Sequence, residues 1–368
     1  MFIFTTLICC VFVVGEIYCV NVPANVNDGR PLVVLATPLG SKDSYYGEYW
    51  KDIVNFQIEY AKKIAGKDNV IVIAPEGEVY DLVSSELSGG HVLEGTIDDI
   101  WMRDIGSARQ VDPILFKYAP NYTDPTTTKE IKQSFLDFLH TYGVSMSDFI
   151  ESELILDGGN FVGNGKDATV ITTRVYDDNI KHGYTKQDIN DILYDEIGYP
   201  YIVILDEVHG DTTGHSDGMV SFLDTNVLGL GELEPKDTER YKQSLINQLP
   251  NNIEVVVIPN RYKDEKWAGP TGVGFTSACG VHLNSLTTTD YIYIPTFGGD
   301  KENQADGRTY DSAWDKVVVD FFKKHTTKEV VEVPVPFKIC RMGGSVRCLS
   351  WQIQGPVADT LVEAALNQ

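Results

Sequence analysis

The stretch from Leu156 to Thr172, LDGGNFVGNGKDATVIT, decides how the chain is read. Asn164-Gly165 sits between two extended runs. That dipeptide marks a two-residue hairpin, because both residues tolerate the positive φ angles such a turn needs. Upstream, Asp157-Gly158-Gly159-Asn160 sets paired glycines beside polar side chains, which permits tight turns and close approach of a ligand to the backbone. A hairpin therefore begins here at a polar segment. Working outward, Asp224-Thr225-Asn226 and Thr287–Asp290 mark two more hairpin turns. Short, β-branched apolar runs at Pro31–Thr37, Asn69–Ala74, Tyr201–Leu205 and Ile253–Pro259 have the pattern of strands buried on both faces. Amphipathic helical stretches intervene at Tyr45–Ile64, Thr128–Tyr142, Thr185–Ile197, Thr238–Leu249 and Ser312–His325. The order strand, hairpin, helix, strand recurs, and the fold class is α/β.

Polar or reactive residues open five such hairpins: Asp104, Asp157, His215, Asn284 and Cys348, spaced 53, 58, 69 and 64 residues apart. Five units of this size fill most of the 368 residues. That arithmetic fits one repeat-built domain over 21–368 better than two unlike domains. Gly298–Gly307 reads as the long exposed loop.

Composition narrows the function. Apolar residues are 43% and charged residues 23%, with 30 Lys+Arg against 53 Asp+Glu, a formal charge of −23. So acidic a chain is a poor partner for a phosphate backbone, and nucleic acid is not expected. The first residues differ from the rest. Phe2–Gly15 carries no polar side chain except Thr5 and Thr6, and is too short to span a bilayer comfortably. It reads as the core of a signal peptide over residues 1–20, so a secreted mature protein free of the membrane is expected. Cys9, Cys10 and Cys19 lie in or beside this leader, leaving Cys279, Cys340 and Cys348. Three is odd, so one thiol stays free. Asn121-Tyr122-Thr123 is a glycosylation sequon, expected in a surface loop.

Four motifs carry chemistry. Trp101-Met102-Arg103-Asp104 follows Asp98 and Asp99, and alone would be an acidic surface turn. Asp157-Gly158-Gly159-Asn160 alone is a turn. His209, Asp211, His215 and Asp217 fall within nine positions; they suit either a metal-dependent hydrolase or a His acid–base beside a substrate-binding carboxylate. Gly343-Gly344 followed by Cys348 suits an exposed nucleophile, although a lone Cys is more often a small buried residue.

Taken in order, W-M-R-D at Trp101–Asp104, D-G-G-N at Asp157–Asn160, G-H-x-D at Gly214–Asp217 and G-G-x-x-x-C at Gly343–Cys348 resemble the guanidino-group-modifying enzymes. The closest resemblance is to the family that joins bacterial-type peptidylarginine deiminases with agmatine deiminases, and it runs from about Pro31 to the C-terminus. It implies the pentein fold, a five-bladed α/β propeller of pseudo-symmetric ββαβ units, which agrees with the five-unit count. It also implies Cys348 as nucleophile, His215 as proton carrier, and Asp104 and Asp217 as ligands of the guanidinium. Trp101, Asp157, Asn160, Asn284 and Gly344 become substrate-binding candidates, with Asp157 orienting either His215 or the substrate. Neither metal nor cofactor is required. The expected partner is an arginine-containing peptide or protein, converted to citrulline with release of ammonia. The alternatives are agmatine as substrate, a metal-dependent hydrolase, and a non-catalytic secreted binding protein.

Departures from the agmatine deiminase pattern point to the peptidylarginine branch: Ser107 replaces a proline, D-G-G-N replaces E-G-G-S, and S-V-R-C replaces N-I-H-C. However, Val111–Lys129 holds Lys117 and Lys129 but no Arg, so the arginine pair that grips a substrate carboxylate in some members is missing. Arg174 and Arg347 are read as surface or structural residues. With Cys348 kept as a thiol, as the resemblance implies, Cys279 and Cys340 are left to pair. A Cys340–Cys348 bridge would instead make a redox-gated enzyme.

Overall fold

The computed structural model describes residues 29–368, except 43, 88–89, 261–265, 269–273 and 300–311. The leader expected over residues 1–20 and most of the Gly298–Gly307 loop lie outside the described residues.

One strand pattern repeats through the chain. A short strand pairs antiparallel with the next, the chain crosses through helix, and a third strand returns parallel to the second. Val162–Gly163, Ala168–Thr172 and Tyr201–Leu205 form one such set around the Asn164-Gly165 turn. Val220–Asp224, Val227–Gly231 and Glu254–Ile258 form another, and Leu286–Thr287, Tyr291–Thr296 and Glu329–Pro334 a third. A fourth joins the two ends of the chain: Trp351–Ile353 lies antiparallel to Leu32–Ala36, which lies parallel to Asn69–Ala74. The remaining set is reduced, with Ala108 bridging Ile114 antiparallel and Ile114–Lys117 running parallel to Ile150–Ile155. Among the described residues the strands stay in separate sheets and close no barrel.

Local sequence explains the elements. Asp124 accepts from the backbone N–H groups of Thr126 and Thr127 and starts the helix Pro125–Thr141, with Pro125 in the first turn, where its missing N–H costs nothing. That helix begins three residues earlier than its apolar periodicity suggests. Thr185 and Asp188 form a reciprocal capping box on Lys186–Ile197, which Gly198 ends in a left-handed conformation. The strands Leu32–Ala36 and Asn69–Ala74 are buried at every position. Successive side chains alternate: Val33, Leu35, Val70 and Val72 pack toward the helix Trp50–Ile64. Leu32, Val34, Ile71 and Ile73 pack toward Phe135 and Leu361 on two other helices. Each buried side chain of this size contributes about 1.5–3 kcal/mol. Cys279 and Cys340 are joined in a disulfide, and Cys348 is a free thiol.

Three of the five sets, taken in chain order, open with a short helical turn rather than a plain strand start. Met102–Ile105 precedes the first set, Gly158–Asn160 the second and Ser216–Gly218 the third. Asp157 and His215 sit immediately before the last two of these turns.

Candidate active site

These opening turns meet. The backbone N–H of Arg103 donates to the Cys348 carbonyl at 3.0 Å, tying the first set to the last. Glycine permits the closeness: a Cβ on Gly159 would lie 2.4 Å from His215 Nδ1 and 2.6 Å from Asp104 Oδ1. A Cβ on Gly344 would lie 2.4 Å from the Trp101 ring. These two positions account for the D-G-G and G-G motifs in steric terms.

His215 is held between carboxylates. Its Nε2 lies 3.2 Å from Asp157 Oδ2 and its Nδ1 lies 3.7 Å from Asp104 Oδ1. Arg174 fixes the loop before it, donating from Nε to the Thr213 carbonyl at 3.0 Å and from Nη2 to the Thr212 carbonyl. On the other wall, the Cys348 sulfur accepts from Asn284 Nδ2 at 3.1 Å and lies 3.8 Å from Asp217 Oδ2. Asn284 cannot turn freely, because its Oδ1 accepts from the Ser345 hydroxyl at 3.0 Å and the Ser345 N–H at 3.2 Å. Arg347 Nε lies 3.4 Å behind Asp217 as an ion pair, and Arg347 Nη2 donates to the Phe161 carbonyl at 2.8 Å.

Burial and crowding set the protonation of this cluster. Burial works against a charge on His215, but Asp104, Asp157 and Asp217 outweigh it and raise the imidazole to about 10. Burial, with Asp157 and Asp217 adding repulsion, pushes the Asp104 carboxyl up to about 8 although His215 pulls it down. Burial, with Asp217 and Asp104 beside it, pushes the Cys348 thiol well above its usual value. The cluster is therefore short of positive charge. A cation placed between Asp104 and Asp217 would neutralise both and favour the thiolate.

Trp101, Asp104, His215, Asp217, Asn284, Gly344 and Cys348 line one cavity of about 950 Å³. Five more carboxylates, Asp98, Asp99, Asp124, Glu130 and Asp211, also face it, and its described lining contains no Lys or Arg. Asp157 stands behind His215 and orients the imidazole rather than lining the cavity. Asn160 is a correction to the sequence reading. Its Oδ1 accepts from the Thr172 N–H at 2.8 Å inside the hairpin, and the residue is absent from the described lining. Two glycines let the turn bend so tightly that this side chain is carried away from the cavity and caps a strand. The metal set is not assembled either: among the described residues no three His, Cys, Asp or Glu side chains converge as ligands. His209 is exposed, and Asp211 Oδ1 accepts from the Thr213 N–H and hydroxyl.

Sequence reasoning missed Tyr122, visible there only as the middle of a sequon. Its hydroxyl donates to Asp157 Oδ2 at 2.8 Å and lies 3.5 Å from His215 Nε2, while Asn121 is exposed beside it. No spacing rule could have found it, because it reaches the site from a loop.

Known proteins resemble this chain in fold and in family. A protein of Marinomonas sp. (strain MWYL1) carrying the name of an agmatine deiminase is 23% identical over 296 residues, covering 71% of this chain and 75% of its own. The agmatine deiminase of C. jejuni superposes with a TM-score of 0.66 at 16% identity, over 90% of this chain and 95% of that one. The agmatine deiminase of Enterococcus faecalis gives 0.66 at 16% identity, over 90% and 94%. These likenesses at low identity establish the α/β fold of the pentein agmatine deiminases. The family model of the Porphyromonas-type peptidyl-arginine deiminases matches residues 31–354. The matched span contains all four motifs and every side chain of the cluster, and the chain belongs to that family.

Proposed function

We propose that this deiminase hydrolyses the guanidino group of arginine residues in peptides or proteins to citrulline, releasing ammonia. The observation that carries the reading is the free thiol of Cys348, 3.8 Å from Asp217 and facing a cavity of about 950 Å³ that also holds His215 and Asp104. A guanidinium seated between Asp104 and Asp217 gains charge-assisted hydrogen bonds to both. Its positive charge favours ionisation of Cys348, whose proton passes to solvent, and the thiolate adds to the guanidinium carbon. The tetrahedral adduct collapses as protonated His215 gives its proton to the departing nitrogen, which leaves as ammonia. The product is a thiouronium on Cys348. Neutral His215 then takes a proton from water as the oxygen attacks the same carbon, and the C–S bond breaks as the departing sulfur takes up the remaining hydroxyl proton, leaving the urea group of citrulline. Asp157 and Tyr122 hold the imidazole for both steps.

A cavity of this volume and a chain of this acidity suit a large, basic substrate. The lack of a described basic residue in the lining disfavours free arginine and C-terminal arginine, whose carboxylates would go unpaired. Agmatine is the second reading, favoured by the carboxylates that could take its ammonium, Asp98 and Glu130 among them. The five strand sets are read as the five blades of a propeller, with the cluster at their common centre. The apolar N-terminal run and the Cys279–Cys340 disulfide support secretion into an oxidising compartment. The deciding experiment measures ureido product from an internal-arginine peptide, free arginine and agmatine, with Cys348→Ala as control. Preference for the peptide supports the proposal; preference for agmatine transfers the activity to the second reading.

A further inference from the structure

A second cavity, of about 280 Å³, lies at the hairpin ends of the same strand sets, against Asn164-Gly165, Asp224-Thr225 and Thr287–Thr289. Its charge is opposite to that of the first. Arg103, Arg109, Lys328 and Arg347 face it against one carboxylate, Asp224. That carboxylate is already engaged, accepting from the Thr327 N–H at 2.9 Å and the Thr327 hydroxyl at 2.6 Å. Four cations gathered in a chain of charge −23 call for an explanation.

Arg103 supplies the decisive observation. It is 6% exposed, and its Nε and Nη2 are buried with no hydrogen-bond partner. Leaving buried donors without a partner is costly, and more so when the group is charged. Burial and the nearby Arg347 guanidinium pull Arg103 down to about 9, so two like charges face each other across a polar space. Arg347 Nε has an ion pair with Asp217 at 3.4 Å but no hydrogen bond. Arg109 Nε is unpartnered too. Water could satisfy these donors, but it brings no negative charge. Planar guanidinium forks match the oxygens of a phosphate or carboxylate.

We infer that the second cavity is an oxyanion-binding site that seats a small ion such as inorganic phosphate on Arg103 and Arg347, with Lys328 and Arg109 nearer its mouth. The site is wired to the chemistry by sequence adjacency. Arg103 precedes Asp104 and Arg347 precedes Cys348, and in both turns consecutive residues face opposite cavities. An anion there screens the field of both arginines from Asp217 and the thiol. Phosphate should therefore lower kcat without competing with substrate, a consequence that rests on the proposed thiol chemistry, whereas binding itself does not.

The test is calorimetric titration of the full chain with inorganic phosphate at constant ionic strength, repeated on Cys348→Ala, Lys328→Gln and Arg347→Gln. One phosphate per chain with millimolar or tighter affinity is expected, unchanged in Cys348→Ala, about threefold weaker in Lys328→Gln and at least about tenfold weaker in Arg347→Gln. In turnover assays Lys328→Gln should keep its basal rate and need more phosphate for half-inhibition. No binding of phosphate up to about 20 mM would overturn the inference. So would binding that is equal in wild type, Lys328→Gln and Arg347→Gln, since the ion would then sit elsewhere. Binding without any effect on kcat would keep the site and remove the coupling.

Discussion

The two cavities are built from the same turns and carry opposite charge. The larger one faces Asp104, Asp217, His215 and Cys348, and no Lys or Arg appears in its described lining. The smaller one faces Arg103, Arg347, Arg109 and Lys328, with a single carboxylate. A one-residue step along the chain separates them, from Arg103 to Asp104 and from Arg347 to Cys348. The difference shows how a strongly acidic protein can concentrate anions on one side of a thiol without losing the ion pair that steadies them. Arg347 sits behind Asp217 and keeps its guanidinium out of the acidic cavity.

The most severe way to break the comparison is at the sulfur. Cys348→Ala should reduce turnover on the order of 10⁴-fold or more while leaving both cavities in place. Wild-type turnover in that protein would show that the acidic cavity does not act through a thiol.

Asp104→Asn probes the acidic cavity itself. Loss of one charged partner of the guanidinium should lower kcat/KM on the order of 10²–10³-fold. Burial holds the Asp104 carboxyl up at about 8, so a proton should compete with a cationic substrate at lower pH. In wild type KM should rise as pH falls below 8, by up to about tenfold per unit, and in Asp104→Asn that dependence should vanish. Stability should move the other way. The folded-state pKa exceeds the unfolded value of about 4, so the folded protein loses stability as pH rises from 4 to 8. Above pH 8 Asp104→Asn should therefore be more stable than wild type, on the order of 2 kcal/mol, by chemical denaturation.

Tyr122→Phe removes the hydroxyl that holds Asp157 and leaves the ring. As a positioning change it should lower kcat by about tenfold with little effect on KM, and shift the limb of the pH profile that reports His215. An unchanged profile would separate Tyr122 from the imidazole. The smallest effect on activity is expected at Asn160. Asn160→Ala should leave KM unaltered and cost about 1–2 kcal/mol of stability, because it strips the partner from the buried Thr172 N–H. A raised KM with stability intact would return Asn160 to the ligand.

Most of the architecture was legible because its signals are local. The β-branched runs at Asn69–Ala74 and Tyr201–Leu205 are strands over those residues. The hairpin turns at Asn164-Gly165 as expected, but over the four residues Asn164–Asp167 rather than two: Gly165 has φ 73° while Asn164 keeps a negative φ, its Oδ1 accepting from three backbone N–H groups. The short helix Glu78–Glu86 was not expected, since it buries only Val79 and Val83 and its amphipathic pattern spans too few turns to register. At the site, the residues opening each set were legible because they recur at the same structural place. What a side chain does one position later was not. Asn160 turns inward to the hairpin, and Arg103 turns to the rear cavity, because a tight turn sends neighbours in different directions. Tyr122 reaches His215 from 93 residues away in sequence, a relation that only the fold creates.

Attack of the Cys348 thiol on a guanidinium bound in the acidic cavity can be caught by rapid acid quench of enzyme and substrate followed by intact-mass and peptide mass analysis. A transient adduct on Cys348 with the mass of the substrate less ammonia is expected, lost in Cys348→Ala. Full turnover with no adduct at any time, surviving alkylation of Cys348, would contradict it.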